Sequence, residues 1–290
     1  MPTDRLEGRE QDATLKGSVK MHILKPSPGA SVDLSHQPTI PMSNYRFGSW
    51  QVAISRHPRT AQDLTDQYDA ASRKWQKVAR RYGLDAAYRR PLLASGMGAI
   101  LEQAGPAARV LDCGIGNGAL AVALQRSFPK TPAFCGIDLS PEMLVRADAE
   151  LRQAGVTPEL KRADVLSIPY ADASFDVVMA AHVLEHLAEP QRALKEMVRV
   201  LKPGGMLFVC LVRRSGFGAL IQMRWRTWAV TEQQGLAWLK ACHLEHPEFQ
   251  TIRLGSCAGH ASTAFWARRQ GEAAHAPEPG TATALEGVLS

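Results

Sequence analysis

The chain has 290 residues, 45% of them apolar, and a formal net charge of +6, enough for one large or two small domains with a sizeable core. No apolar run is long enough to span a bilayer, and the polar start Met1-Pro2-Thr3-Asp4-Arg5 does not read as a signal peptide. Five cysteines without a C-x-x-C pair argue against both a disulfide scaffold and a thiolate metal cage, and point to reduced, buried thiols in a cytoplasmic protein.

Residues 1–55 are rich in Pro, Ser, Gly and polar side chains without a sustained period, and are expected to be a largely disordered extension. Residues 56–105 read as a helical cap and lead-in. There Tyr68, Ala71, Trp75, Val78 and Tyr82 recur at steps of 3 and 4 on one helix face. Such a stripe packs on a neighbouring element or offers Tyr68 and Trp75 to a ligand. The run Val110-Leu111-Asp112-Cys113-Gly114-Ile115-Gly116-Asn117-Gly118 is a strand that ends in a carboxylate and breaks into alternating glycines. Glycines at that spacing turn the chain sharply into a helix and let a ligand lie against the main chain. Gly114, Gly116 and Ala119 also satisfy the dinucleotide fingerprint G-x-G-x-x-G/A, so the loop alone leaves the ligand class open.

Further on, Phe134-Cys135-Gly136-Ile137-Asp138 is a second strand ending in a carboxylate, suited to a ribose diol. Ser140-Pro141-Glu142 starts a helix with an N-cap hydroxyl, a proline in the first turn and an acid at the positive end. Arg162-Ala163-Asp164-Val165 closes a third strand, and the stretch Phe175 to Leu187, which includes His182-Val183-Leu184-Glu185-His186, contains a fourth. In Arg199-Val200-Leu201-Lys202-Pro203-Gly204-Gly205 a helix ends and the strand Met206 to Leu211 begins. Residues 213–230 read as a lid insertion, with Phe217, Ile221, Trp225 and Trp228 on one face and arginines alongside; they line a pocket, rest on a membrane interface or simply pack. Thr231 to Cys242 is a helix, Phe249 to Leu254 and Ala261 to Ala267 a terminal strand pair, and 271–290 a loose tail.

This ordered series resembles the class I S-adenosylmethionine-dependent methyltransferases, particularly the ubiquinone/menaquinone C-methyltransferases and related small-molecule enzymes. The resemblance is strong over about residues 107–212. It implies an α/β fold with a Rossmann-like, seven-stranded, mostly parallel sheet, helices on both faces and an N-terminal helical cap, the cofactor domain being residues 106–270. It also implies S-adenosylmethionine as cofactor. Asp112, Gly114 and Gly116 would then hold its methionine part, and Asp138 its ribose hydroxyls. Leu139 or Met143 would cover the adenine, Asp164 and the Val165 backbone would read its edge, and Ala180 to His182 would border the sulfur. Asn117 departs from the small hydroxyl residue more usual there.

Read literally, His182-Val183-Leu184-Glu185-His186 is an inverted zinc-protease signature, H-x-x-E-H. That motif needs a helix and a further ligand, whereas here it follows a strand in a nucleotide-binding series, so no metal is expected. His182, nearest the strand end, is the candidate general base, with simple packing as the alternative. His186 reads as a buried, hydrogen-bonded residue, and His243 and His246 as loop residues near a pocket mouth.

The acceptor expected is a small molecule, methylated on O, N or C: a quinone precursor, a lipid headgroup or a secondary metabolite. The flanks 49–92 and 213–270 each carry +5 whereas 93–212 carries −2, which favours an apolar compound with an anionic or phenolic group and allows peripheral membrane contact. The basic flanks also suit a nucleic-acid methyltransferase. That alternative is disfavoured by Ala180-Ala181-His182-Val183, where base-flipping enzymes carry a polar aromatic motif. A nicotinamide-dependent dehydrogenase is the remaining alternative.

Overall fold

Parallel strands covered on both faces are near-continuous apolar runs, and the centre of this sequence supplies them. The computed structural model describes residues 19–24, 40–47, 50–56, 65, 84–129, 133–213, 229–253 and 260–271. Three strands lie in the amino-terminal part: β1 (Val19–Leu24), β2 (Ile40–Phe47) and β3 (Trp50–Arg56). They form an antiparallel sheet in the order β1-β3-β2. These strands were not anticipated within residues 1–55, most of which lie outside the described residues. Trp50, Val52 and Ile54 alternate with smaller or polar residues, and Phe47 pairs with Trp50.

The remaining strands are β4 (Arg109–Cys113), β5 (Ala133–Asp138), β6 (Glu159–Arg162), β7 (Phe175–Ala181), β8 (Leu201–Val212), β9 (Leu244–Arg253) and β10 (His260–Arg269). They form one seven-stranded sheet in the order β6-β5-β4-β7-β8-β10-β9. Neighbours from β6 to β8 are parallel, and β10 runs antiparallel to both β8 and β9. The strand order reverses direction beside β4, between β5 and β7. In an open α/β sheet that switch point opens a crevice at the carboxyl ends of the strands.

Helices cover both faces. On one lie α1 (Leu84–Ala94), α2 (Met97–Ala104), α3 (Ala119–Ser127) and α4 (Pro141–Gln153), whose Leu92, Met97, Leu124 and Leu151 bury against Val110, Val177 and Met179. On the other lie α5 (Pro190–Val200) and α6 (Glu232–Ala241), whose Leu194, Met197 and Leu239 pack on Leu111, Val178 and Leu207. The split follows the strand period of two: within β7, Val177 and Met179 face one layer, Val178 and Ala180 the other. Local signals set the helix ends. Ser140 caps α4 by accepting from Met143 N at 3.1 Å, and Thr231 and Gln234 form a reciprocal capping box on α6.

The turn into β8 differs in detail from expectation. The strand begins at Leu201, paired with Phe175, and a bulge precedes the next pair, Val177 with Met206. Lys202 Nζ donates to both oxygens of Asp176 at 2.9 Å, and Asp176 also accepts from Arg109 N at 2.8 Å, tying the amino-terminal ends of three strands together. The helical cap residues 68–82 and most of the lid insertion, 214–228, lie outside the described residues. The ends of the lid are joined, Val230 N donating to Val212 O at 2.9 Å.

Candidate functional site

At the carboxyl ends of β4, β5 and β7 a cavity opens at the switch point. The space it encloses, open mouth included, is about 1000 Å³. The glycine loop forms its floor. Gly114 N and Ile115 N both donate to Ile137 O, at 2.7 and 2.9 Å, and Gly116 N donates to Asp138 Oδ2 at 2.8 Å, stitching the loop to the end of β5. Two of the glycines are required by geometry. Gly114 has φ 69° and a Cβ there would lie 2.4 Å from Val183 Cγ2, while Gly116 has φ 54° and open space where its Cβ would be.

Asp112, Gly114, Gly116, Asp138, Leu139, Met143, Asp164, Val165 and His182 all lie on the cavity wall. Ala180 does not. It is buried in the other core layer and its neighbour Ala181 takes the wall position, a one-residue offset that in a strand reverses the face. Tyr68, Trp75 and Trp225 lie outside the described residues. His243 and His246 are at the opposite end of the sheet: His246 is within β9, whose first residue pairs with Arg269 at the end of β10 where β8 starts.

The carboxylates differ sharply in their surroundings. Asp138 accepts from Gly116 N through one oxygen and from Ser140 N through the other, at 2.9 Å. Asp164 accepts from Leu166 N at 2.9 Å, so it forms a turn as well as lining the wall. Asp112 is 1% exposed and neither of its oxygens has a hydrogen-bond partner. Burial, and then the nearby charge of Asp138, push its carboxyl well above the usual range. An unpaired buried carboxylate is costly unless a cationic ligand group meets it.

His182 sits at φ 58°, a left-handed backbone held by its N–H donating to Cys210 O at 2.9 Å. Its Nδ1 lies 2.9 Å from Oε1 of Glu185, which also accepts from Val212 N at 2.9 Å. His186 is buried, ends a single 3-10 turn rather than continuing a helix, and also reaches the wall. Among the wall residues that sequence reasoning missed, two come from far outside the glycine-loop region. Tyr88 of α1 lines the cavity at 2% exposure, its phenol pushed up by burial and then by Cys210, Glu185 and Asp112. Thr65 also reaches the wall. Both come from segments remote in sequence and carry no local motif.

The profile described as "Methyltransferase domain" matches residues 111–209. The chain is 39% identical over 101 residues to "Ubiquinone/menaquinone biosynthesis C-methyltransferase UbiE" of Bdellovibrio bacteriovorus, covering 35% of this chain and 43% of that one. It is 36% identical over 103 residues to "Phosphatidylethanolamine N-methyltransferase" of Cereibacter sphaeroides, covering 35% and 49%. The chain thus spans less than half the length of these two curated relatives. Among solved structures, the [4+2]-cyclase SpnF aligns with TM-score 0.57 and 20% identity over 74% of this chain and 98% of that one, a likeness of fold. None of the helices among the described residues is long and apolar enough to cross a membrane. Strand order, glycine loop and matched profile agree: the domain at the centre of this chain is a class I S-adenosylmethionine-dependent methyltransferase domain.

Proposed function

We propose that this protein transfers the methyl group of S-adenosylmethionine to a small-molecule acceptor. The observation that carries the reading is Asp112, a buried carboxylate without a partner on the wall of a glycine-floored cavity. The residues present fit the cofactor. Asp112 supplies the negative charge that an ammonium needs, Gly116 leaves main chain open to the ligand, and Asp138 brings a carboxylate to the wall, a group with two oxygens suited to a diol. Leu139 and Met143 give an apolar face for the adenine, and Asp164 with the Val165 backbone would read its edge.

When bound, the cofactor contributes a methyl group activated on a sulfonium. The chain's task is then positioning: hold the acceptor atom in line behind that carbon and keep water away. His182, on the wall beside Ala181, is positioned to take a proton from an O–H, N–H or acidic C–H acceptor. The basic flanks and the quinone and phosphatidylethanolamine named in the two relatives favour an apolar acceptor with an anionic or phenolic group, reached in the cytoplasm or at a membrane surface.

Calorimetric titration with S-adenosylhomocysteine, with the nicotinamide dinucleotides as controls, tests this directly. Micromolar binding of S-adenosylhomocysteine alone supports the reading. Binding of a nicotinamide dinucleotide in its place would sink it.

A further inference from the structure

The cavity contains a histidine whose partner nothing in the motif identifies. Glu185 lies three residues after His182, on the single 3-10 turn Leu184–His186, and its side chain is 0% exposed against 19% for His182. A carboxyl group so deeply enclosed, and not among the residues that line the cavity, is costly to keep. Its Oε1 is nevertheless well used, taking the Val212 N–H at the end of β8 and facing His182 Nδ1, each at 2.9 Å. Its Oε2 is buried with no partner.

We infer that Glu185 is a positioning residue which fixes the tautomer and ring orientation of His182, so that Nε2 carries the lone pair that receives the acceptor's proton. A Glu185 carboxylate has no hydrogen to give, so the 2.9 Å imidazole contact needs its hydrogen on Nδ1, donated to Oε1. In a neutral ring that leaves Nε2 without a hydrogen. His182 makes no other side-chain hydrogen bond among the described residues. Its backbone is fixed independently by Cys210 O, so ring and main chain are held from two sides, both anchored on β8.

This inference rests on the methyl-transfer reading for its chemistry. The proton of the acceptor X–H passes to Nε2, the electron pair left on X forms the bond to the methyl carbon, and the carbon–sulfur pair remains on sulfur. The imidazolium so formed keeps its Nδ1–H on the Glu185 carboxylate, the same division of labour as a base and its orienting acid in other proton-transfer sites.

The test is nitrogen-15 NMR of the full chain labelled at histidine, with His182→Gln used to assign the signal. The wild-type ring is expected to carry its hydrogen on Nδ1. Glu185→Met, apolar and of similar volume, should raise the Nε2–H form several-fold, and Glu185→Gln, which keeps an oxygen acceptor, should restore the wild-type pattern. A wild-type ring protonated on Nε2, or a Glu185→Met protein with an unchanged tautomer, overturns the proposal. Should Glu185→Met fail to fold, the wild-type tautomer and the Glu185→Gln spectrum still decide it. S-adenosylhomocysteine affinity is measured on the same samples and should stay within about two-fold in both variants, since Glu185 is not on the cavity wall. Its absence from the wild type counts against the methyl-transfer reading, while the tautomer reports on Glu185 separately.

Discussion

Gly116 donates its main-chain N–H to Asp138 Oδ2 at 2.8 Å, across 22 residues of sequence, and so locks the glycine loop to the end of the second parallel strand. The same carboxylate receives Ser140 N through its other oxygen, so one side chain organises the loop, the strand end and the start of α4. Asp138→Ala removes both acceptors at once. It is expected to weaken S-adenosylhomocysteine binding by several-fold or more, given ~1–3 kcal/mol for each buried donor left unpaired. Calorimetry checks this, and unchanged affinity would refute the assignment.

Asp112 predicts an opposition between stability and binding. Its folded-state carboxyl is held above the unfolded value of about 3.9. In the window above that value the folded state binds more protons than the unfolded one. The ligand-free fold therefore gains stability from this group as pH falls through the raised range, and loses it as pH rises. Asp112→Asn removes the buried charge, so it should raise the neutral-pH melting temperature of the free protein and flatten this pH dependence. Its affinity for S-adenosylhomocysteine should drop about ten-fold or more, since a charged hydrogen bond contributes ~1.5–3 kcal/mol. A variant that loses stability and keeps affinity contradicts both halves.

At Gly114 two penalties coincide: a left-handed φ of 69° and a Cβ position 2.4 Å from Val183. Gly114→Ala should cost about 1–3 kcal/mol in denaturant unfolding. Val183→Ala should recover part of that loss, because the steric portion is shared between the two positions. Strict additivity of the two changes would show that the backbone conformation alone is responsible.

Arg199 gathers the segment after β6. Its guanidinium donates to Ile168 O and Tyr170 O at 2.9 Å, to Asp172 at 2.7 Å and twice to Glu196 at 2.9 Å. The hydrogen bonds from Arg199, foremost, hold the Glu196 carboxyl below its usual range. A lowered folded-state value contributes stability above the unfolded value of about 4.3 and loses it as pH falls through the folded one. Arg199→Met should lower the melting temperature at pH 7 and make the acid loss of stability shallower between pH 5 and 3 (a window of order ±1 about that value). An unaltered acid limb would mean that Glu196 is held by its backbone partner Ile168 N instead.

What was legible in the sequence was whatever is local. Asp112, the loop glycines, Asp138 and Asp164 each stand at or just beyond the end of a strand, and a strand-end carboxylate with its turn is written within a few residues. Of the stretch Ala180 to His182, Ala181 and His182 lie on the wall and Ala180 does not, since neighbouring strand residues face opposite sides. Tyr88 was missed because a helix from elsewhere in the chain delivers it, and no spacing records that delivery. Glu185 was seen only as a letter in a metal-site pattern. Its partner Val212 lies 27 residues on, and their 2.9 Å contact exists only once β7 and β8 pair. The amino-terminal strands were obscured because composition over 55 residues outweighed the short alternation at Trp50, Val52 and Ile54.

The position of β10 between β8 and β9 sets an order of events during synthesis. The chain emerges amino-terminal end first, at about 5–20 residues per second. Strand β9 is therefore complete before β10, yet cannot dock, because its hydrogen-bonding neighbour is the strand made after it. Until His260–Arg269 has left the ribosome, the long apolar flank of β8 presents an unpaired row of N–H and C=O groups. Nascent chains halted before that point should bind chaperones that recognise extended apolar segments, and release should coincide with the arrival of the last strand.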